Sequence, residues 1–424
     1  MVNFGTPSIA STSNTNLPRI KIKNFGPITE TGSAENNWLY VNKVTVFIGD
    51  QGSGKSTIAK LLSTFMWMEK ALVRGDVNIK SLQRKGKFKN SFLKYHRLGE
   101  YFKSTSEIFF EGTKFDFSVK NGEIKIKEKI EDFTYDLPQI MYVPAERNFI
   151  SYVTRPSELK ISSESLQEFL TEFNNAKQRL KHPISLPVGN IELDYDKLND
   201  ILNLKGKNYK IRLSDSSSGF QSLIPLFLVS EYLAKAVHNP SDSNPMSGLE
   251  RQNFSTEMKT ILEKTDFTEE QRRLALSVLS SKFNKKAFIN IVEEPEQNLF
   301  PNSQWKMLNS LLKLNNLDHE NKLIITTHSP YIINYLSIVI QAEKVRQEIE
   351  NKKQEVLLKR LFSITPEDAL LKSKHLSVYQ LENGRVAELP NIHGIPSDDN
   401  YLNQVLRDGN SMIDEIFEIE DELI

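Results

Sequence analysis

The feature that most constrains this chain is Gly49-Asp50-Gln51-Gly52-Ser53-Gly54-Lys55-Ser56, a complete G-x-x-x-x-G-K-[ST] phosphate loop. It lies between an apolar run, Val44–Ile48, and a helix-forming stretch, Thr57–Leu72. Three glycines let the backbone fold into a nest whose N–H groups point at a β-phosphate, and the positive end of the following helix reinforces that nest. Lys55 is placed to reach the β- and γ-oxygens, and Ser56 to ligate Mg²⁺. The pattern therefore predicts ATP and Mg²⁺ as ligands, with Gly49 through Ser56 and the adjoining Thr57 as nucleotide-binding residues.

Composition narrows the classes. With 424 residues, 39% of them hydrophobic, the chain is long enough for two or three domains and a sizeable core. Lys plus Arg and Asp plus Glu both count 54, so the whole surface offers no net field to a polyanion, and nucleic acid would need a local patch. The absence of cysteine excludes disulfides, zinc-thiolate sites and thiol catalysis together, which fits a reducing interior. The seven histidines are scattered without metal-ligand spacing. Residues 1–18 read as a loose polar tail, not a secretion signal. The longest apolar run, Leu223–Val229, is far short of the ~18–20 residues of a membrane span. The expectation is a cytoplasmic protein with no membrane partner.

Along the chain, Arg19–Ile28 alternates apolar and polar before a Gly-Pro break, and Trp38–Ile48 is a second strand region that feeds the phosphate loop. Lys80–Arg97 carries seven Lys or Arg and no acid, interleaved with Phe88, Phe92 and Tyr95. That pattern fits either phosphate tracking with base stacking or a solvated segment whose aromatics face the core. Glu107–Lys129 alternates around Lys120-Asn121-Gly122, which predicts a hairpin in an antiparallel β-lobe at about 100–135. Buried strands are expected at Pro138–Pro144, Ala287–Val292 and Leu323–Thr327, short strands over Ile191–Leu213, and helices over Glu164–Leu180, Gly219–Val237 and Ser255–Phe283. His238–Phe254 reads as a loose polar loop, 338–362 as one charged helix, and Ser411–Ile424 as an acidic terminal helix packed on one face.

Three further motifs complete the loop. A phosphate loop needs a carboxylate at a neighbouring strand end for Mg²⁺ and a group to orient water, and Glu293-Glu294 offers both. Glu293 is assigned to Mg²⁺ and Glu294 to the attacking water. Leu323–Pro330 delivers His328 at the end of a buried strand, where it can donate to a γ-phosphate. Leu213–Ser222 places Ser218, Gly219 and Gln221 at a helix start, a second phosphate-binding end.

In this order, the phosphate loop, Ser-Ser-Gly-Phe-Gln, Glu-Glu-Pro-Glu and Thr-Thr-His-Ser-Pro resemble the ABC-type ATPase heads shared by SMC, RecF and OLD-family proteins. Ile22–Ile28, Tyr142–Arg147 and Glu293–Glu296 are similar to the ATPases of bacterial antiphage systems of the Septu or PARIS type. The resemblance covers about 19–340. It implies an α/β P-loop NTPase with a mixed or parallel central sheet, an antiparallel β-lobe, a signature lobe at about 155–285 that includes a helical insertion, and a C-terminal extension over 341–424. It also implies a slow ATPase with Lys55, Glu294 and His328 as catalytic residues and a head-to-head dimer around two ATP molecules. Ser218, Gly219 and Gln221 would then meet the γ-phosphate in trans, Asn24 and Phe25 would flank adenosine, and Glu146 and Arg147 would lie near the Q-loop. Two positions depart from the family pattern: Phe220 stands where a second glycine is usual, and Glu293 where Asp is usual. The chain has neither the sustained heptads of SMC- and RecN-like proteins nor a Toprim-like acidic motif among the 96 residues after His328. The resemblance therefore points to a larger assembly that answers a phage trigger through a separately encoded effector nuclease. A RecF-like ATP-dependent DNA-binding repair protein is the alternative, and a transporter ATPase fits these motifs poorly.

Overall fold

The computed structural model describes residues 17–32, 37–130, 134–153, 161, 163–239, 248–263, 267–268, 271–272, 275, 279 and 283–422. Most of the expected N-terminal tail, the centre of the His238–Phe254 loop and much of Ser255–Phe283 lie outside these residues.

The first strands are β1 (Arg19–Phe25), β2 (Ile28–Thr31), β3 (Leu39–Tyr40) and β4 (Val44–Gly49), followed by helix α1 (Lys55–Arg74). A β-lobe follows, with β5 (Phe102–Glu111), β6 (Phe115–Lys120) and β7 (Glu123–Glu128). Asn121 and Gly122, with φ of 51° and 79°, join β6 to β7, and Lys120 faces Glu123 across the two-residue turn. This left-handed pair is what the Asn-Gly dipeptide predicts. Next come β8 (Pro138–Val143), α2 (Glu164–Arg179), β9 (Ile184–Ser185), β10 (Glu192–Asp196), β11 (Ile201–Lys205), β12 (Lys210–Arg212) and α3 (Ser218–His238). The remainder is α4 (Gly248–Glu263), β13 (Ala287–Glu293), α5 (Pro301–Asn315), β14 (Lys322–Thr327), α6 (Pro330–Asn351), α7 (Glu355–Ile364), β15 (Leu376–Glu382), β16 (Arg385–Glu388) and α8 (Tyr401–Asp421).

One twelve-stranded sheet runs β7-β6-β5-β1-β2-β16-β15-β4-β14-β13-β8, with β3 on β1, while β9–β12 form a separate antiparallel sheet. From β15 to β8 every pairing is parallel. Each of these inner strands is apolar on both faces because both faces are covered. Val44, Val46 and Ile48 of β4 face α3, α5 and α6, while Phe47 faces α1 and the β-lobe. Helix α3 is long and apolar enough to cross a membrane, but most of it is core packed on α2, α5 and β13. Its Ser230 hydroxyl accepts from Asn290 Nδ2 of β13 at 2.9 Å, a buried polar pair that keys helix to sheet.

The C-terminal extension adds two strands to the main sheet: β15 pairs with β4 and β16 with β2, closing the gap between the phosphate-loop strand and the β-lobe. Three expectations are corrected. The expected His238–Phe254 loop is helical from Gly248, where α4 begins. The charged helix at 338–362 is two helices, broken where Lys353 turns left-handed at φ 54°. The acidic terminal helix starts ten residues earlier than expected, at Tyr401, and only Leu402 of it is buried.

Candidate functional site

The parallel strands end in register on one edge. Thr327 faces Ile48, Glu293 faces Thr326, and Val292 faces Val143, so the phosphate loop, the acidic pair, His328 and Ala145–Arg147 all emerge together. Open α/β sheets bind ligands at this carboxyl edge.

The loop is held by close packing. At Gly49, with φ 146°, a Cβ would lie 2.3 Å from the Leu381 carbonyl oxygen. At Gly54, with φ 107°, it would press on Ile28 and Pro27. Gly54 caps α1 without a side-chain bond, and no acid occupies the first turn, so the helix's positive end carries no carboxylate of its own. Asp50, Gln51 and Gly52 are exposed, Ser53 and Ser56 half-buried, and Thr57 buried.

Lys55 is buried and curls back over the loop: its Nζ donates to the Gly49 carbonyl at 2.9 Å and the Asp50 carbonyl at 2.7 Å, and lies 3.4 Å from His328 Nδ1. Burial lowers its pKa to about 8 against the opposing pull of Glu294, Glu296, Asp50 and Glu293. His328 Nε2 lies 3.5 Å from Glu294 Oε1, and 34% of each side chain is exposed. Glu294 sits at φ 45°, with its N–H donating to the Thr326 carbonyl. Its carboxyl is held below the usual range, first by the hydrogen bond from His328, against desolvation. Lys55, His328 and Glu294 thus form a row at the strand ends.

Glu293 is buried beneath this row, with Oε2 accepting from the Ala145 N–H at 3.1 Å and Oε1 without a hydrogen-bond partner. The Tyr142 hydroxyl is near enough that burial first, then this carboxylate, raises its pKa, although that hydroxyl makes no hydrogen bond of normal geometry. An uncommitted carboxylate oxygen and the Ser56 hydroxyl are hard donors that fit Mg²⁺, which takes its other ligands from phosphate and water.

Glu296, which has no role in the motif reading, and Arg147, which the resemblance places near the Q-loop, organise the site. Glu296 Oε1 accepts from both the Thr327 hydroxyl and the His328 N–H at 2.7 Å, fixing the backbone that carries the imidazole. Fully buried Arg147 donates to the carbonyls of Glu293 and Glu294, each at 2.6 Å, and to Ser222 of α3 at 3.1 Å. Burial lowers its pKa to about 10, which leaves it a cation at neutral pH. The Glu-Glu-Pro-Glu spacing was the available signal for Glu296; Arg147 had only its place after β8.

The serine-rich segment stands apart. Ser218 is exposed and Gly219 half-buried, and a Cβ on Gly219 would lie 2.9 Å from the Asn298 carbonyl oxygen. Among the described residues, no hydrogen bond or ion pair joins Ser217–Gly219 to the phosphate loop. Gln221 does not reach outward as expected: it is buried, and its Nε2 donates to the carbonyls of Ser214 and Ser216, so it shapes its own loop. Phe25 is likewise corrected, because it is fully buried against Tyr101 and Phe102 and cannot flank adenosine. Half-buried Asn24 and exposed Pro27 occupy the turn beside Gly54.

Residues 154–333, less than half of the chain, match the family described as AAA ATPase domain. The matched stretch begins after the phosphate loop and takes in the serine-rich segment, Glu293-Glu294 and His328. A phosphate loop between a parallel strand and a helix at the carboxyl edge of this sheet is the arrangement of a P-loop NTPase. Similar solved structures include the SMC head domain from Thermotoga maritima, at 12% identity and TM-score 0.33, covering 89% of this chain and 99% of that one. An SMC head bound to the C-terminal winged-helix domain of ScpA is 9% identical with TM-score 0.36, covering 88% and 97%. A nucleotide-free ATP-binding cassette from an ABC transporter is 13% identical with TM-score 0.31, covering 89% and 92%. These likenesses are loose. No curated protein matches the chain.

Proposed function

We propose that this chain is an ATP-binding and hydrolysing head that pairs head to head around two ATP molecules and controls a separately encoded effector nuclease in bacterial antiphage defence. The observation that carries the ATPase reading is the row Lys55–His328–Glu294 at the mouth of an uncapped phosphate-loop helix. In this reading, Lys55 exchanges its loop carbonyls for β- and γ-oxygens, His328 donates to the γ-phosphate, and ionised Glu294 orients the attacking water. Mg²⁺, held by Ser56 and Glu293, would neutralise charge on the phosphate oxygens. The exposed Ser218 and half-buried Gly219, remote in bonding from their own loop, suit contact with a second subunit's nucleotide, with Gln221 in support.

The defence reading rests on the resemblance of Ile22–Ile28, Tyr142–Arg147 and Glu293–Glu296 to Septu- and PARIS-type ATPases. Glu294→Gln should bind ATP, hold a dimer visible by light scattering and lose at least about 100-fold in turnover. Undiminished turnover would sink the catalytic assignment. Expressed with its neighbouring genes, the wild type should lower phage plating and Lys55→Ala should not; equal plating removes the defence role alone.

A second reading, an ATP-dependent DNA-binding repair protein, is favoured by one observation. All seven cations of Lys80–Arg97 are exposed while Phe88 is buried and Phe92 packs on Trp67, so the basic residues of the segment face solvent and its aromatics pack inward. Salt-sensitive, ATP-dependent DNA binding that disappears on charge reversal of Lys85, Lys87 and Lys89 would select it.

A further inference from the structure

Helix α8 leaves the fold almost at once. The Tyr401 N–H donates to Gln380 Oε1 at 2.8 Å on β15, at the position facing Ile48, and Leu402 is buried beside it. Beyond this root the helix is exposed, yet Leu402, Val405, Gly409, Met412, Ile416 and Ile419 recur at alternating spacings of three and four. That is the period of a seam packed against other helices. From Val405 to Ile419 the large apolar side chains are 50% to 63% exposed, far more than isolated surface hydrophobics need explaining.

Two such arms pair poorly with each other. Within Tyr401–Asp421 there are six carboxylates and one cation, Arg407. With Leu402 and Val405 on the seam, Asp408 and Glu415 line one flank and Leu406, Ile413 and Glu420 the other, so parallel pairing sets Glu415 beside Glu420 and antiparallel pairing sets the Asp408–Glu415 flanks against each other. The seam needs an apolar surface bordered by cations.

The same molecule carries one. Ile338, Ala342 and Val345 of α6 and Leu361 and Ile364 of α7 line a groove of about 350 Å³. Exposed Lys344 and Arg360 precede Val345 and Leu361 of the lining in sequence, with exposed Lys359 beside Arg360, against one exposed carboxylate, Glu348, a turn beyond Lys344. Ile338 and Ile364 are themselves 41% and 61% exposed, so the α6–α7 pair also leaves an apolar face uncovered. The lining runs from Ser337 to Val345 on α6, about two helical turns at ~1.5 Å per residue, which matches the Met412–Ile419 part of the seam. An amphipathic helix laid in such a groove is a recurrent recognition mode.

We propose that α8 of one copy docks its apolar seam in the α6–α7 groove of a second copy. This contact needs no nucleotide and is separate from any ATP-bridged pairing of heads, so it stands or falls independently of the proposed function.

The test uses the full chain, stripped of nucleotide with EDTA so that no ATP-bridged dimer contributes. Light scattering across the micromolar range should give a mass above that of the 48.7 kDa monomer. Ile416→Glu in the arm and Leu361→Glu in the groove should each be monomeric, with ATP binding retained as proof of folding. Mixed one to one they should associate again, because the intact arm of one meets the intact groove of the other. A monomeric wild type, from a folded-back arm or one kept for a different protein, overturns the proposal. So does a Leu361→Glu chain that still associates, or a mixture that stays monomeric. Because the chain has no cysteine, single Ile416→Cys and Leu361→Cys chains can also be mixed and joined with a short bismaleimide. Cross-linked arm-to-groove pairs are expected, and arm-to-arm pairs as the main product refute the assignment.

Discussion

Lys55 offers a pH test whose sign and size follow from its surroundings. In the empty site burial disfavours the ammonium and lowers its pKa to about 8. A bound triphosphate sets negative oxygens where two neutral carbonyls now stand, favouring the charged form and raising that pKa. The proton is therefore bound more tightly with ATP present, and above pH 8 ATP must recruit it. By linkage, the apparent Kd grows in proportion to one plus the ratio of neutral to charged lysine in the free protein. Affinity should fall about tenfold between pH 7 and pH 9, and proton uptake should approach one per site at pH 9. Titration calorimetry in buffers of differing ionisation enthalpy measures both quantities. Lys55→Arg keeps its charge throughout this range and should flatten the slope, whatever its own affinity. A wild-type Kd that is constant from pH 7 to pH 9, with no proton taken up, would refute the placement of Lys55 against the phosphates.

Phe25→Ala should cost roughly 3–5 kcal/mol of stability in urea titrations, as expected for a fully buried aromatic, yet leave ATP affinity in the folded protein within a few-fold. A selective loss of affinity would restore the adenosine role. Arg147→Leu strands the carbonyls of Glu293, Glu294 and Ser222 and should destabilise by about 3 kcal/mol or more, read in the same titrations. His328→Ala should lower turnover about 10²–10³-fold while shifting ATP affinity far less, measured by steady-state phosphate release and equilibrium binding. Equal losses in both would make His328 a binding residue only.

The residues legible in the sequence are those whose chemistry is local. Gly49 and Gly54 mark backbone that no other residue could trace, and strand ends deliver Glu294 and His328 because a parallel sheet gathers its carboxyl ends on one edge. Phe25 was misread because β1 breaks register between Lys23 and Phe25, with Asn24 at φ 52°, and this turns the aromatic inward out of the alternation set by Ile20 and Ile22. Gln221 looked available because a polar residue at a helix start usually faces water, but the carbonyls of Ser214 and Ser216 needed a donor. β15 joins β4 across more than 300 residues, a pairing that local pattern does not encode. Helix α8 shows a different limit. An amphipathic stripe states that a face is to be covered, not that the same chain covers it.

The order of strands explains why the row can act as a latch. Because β14 lies between β4 and β13, its terminal His328 stands between the lysine of one neighbour and the carboxylate of the other. Without nucleotide these groups satisfy one another: Lys55 is drawn to its own loop, and His328 holds Glu294 ionised. In the proposed reaction a γ-phosphate entering beside the loop would compete for both Lys55 and His328 at once, and that competition would release the Glu294 carboxylate to accept from water. Glu296 keeps the His328 backbone fixed through the exchange, and Arg147 fixes the backbone of Glu294 to α3, whose start bears Ser218 and Gly219. Any shift of α3 caused by a second subunit's nucleotide would thus reach the carboxylate through one buried guanidinium, linking closure of the dimer to the water-orienting step.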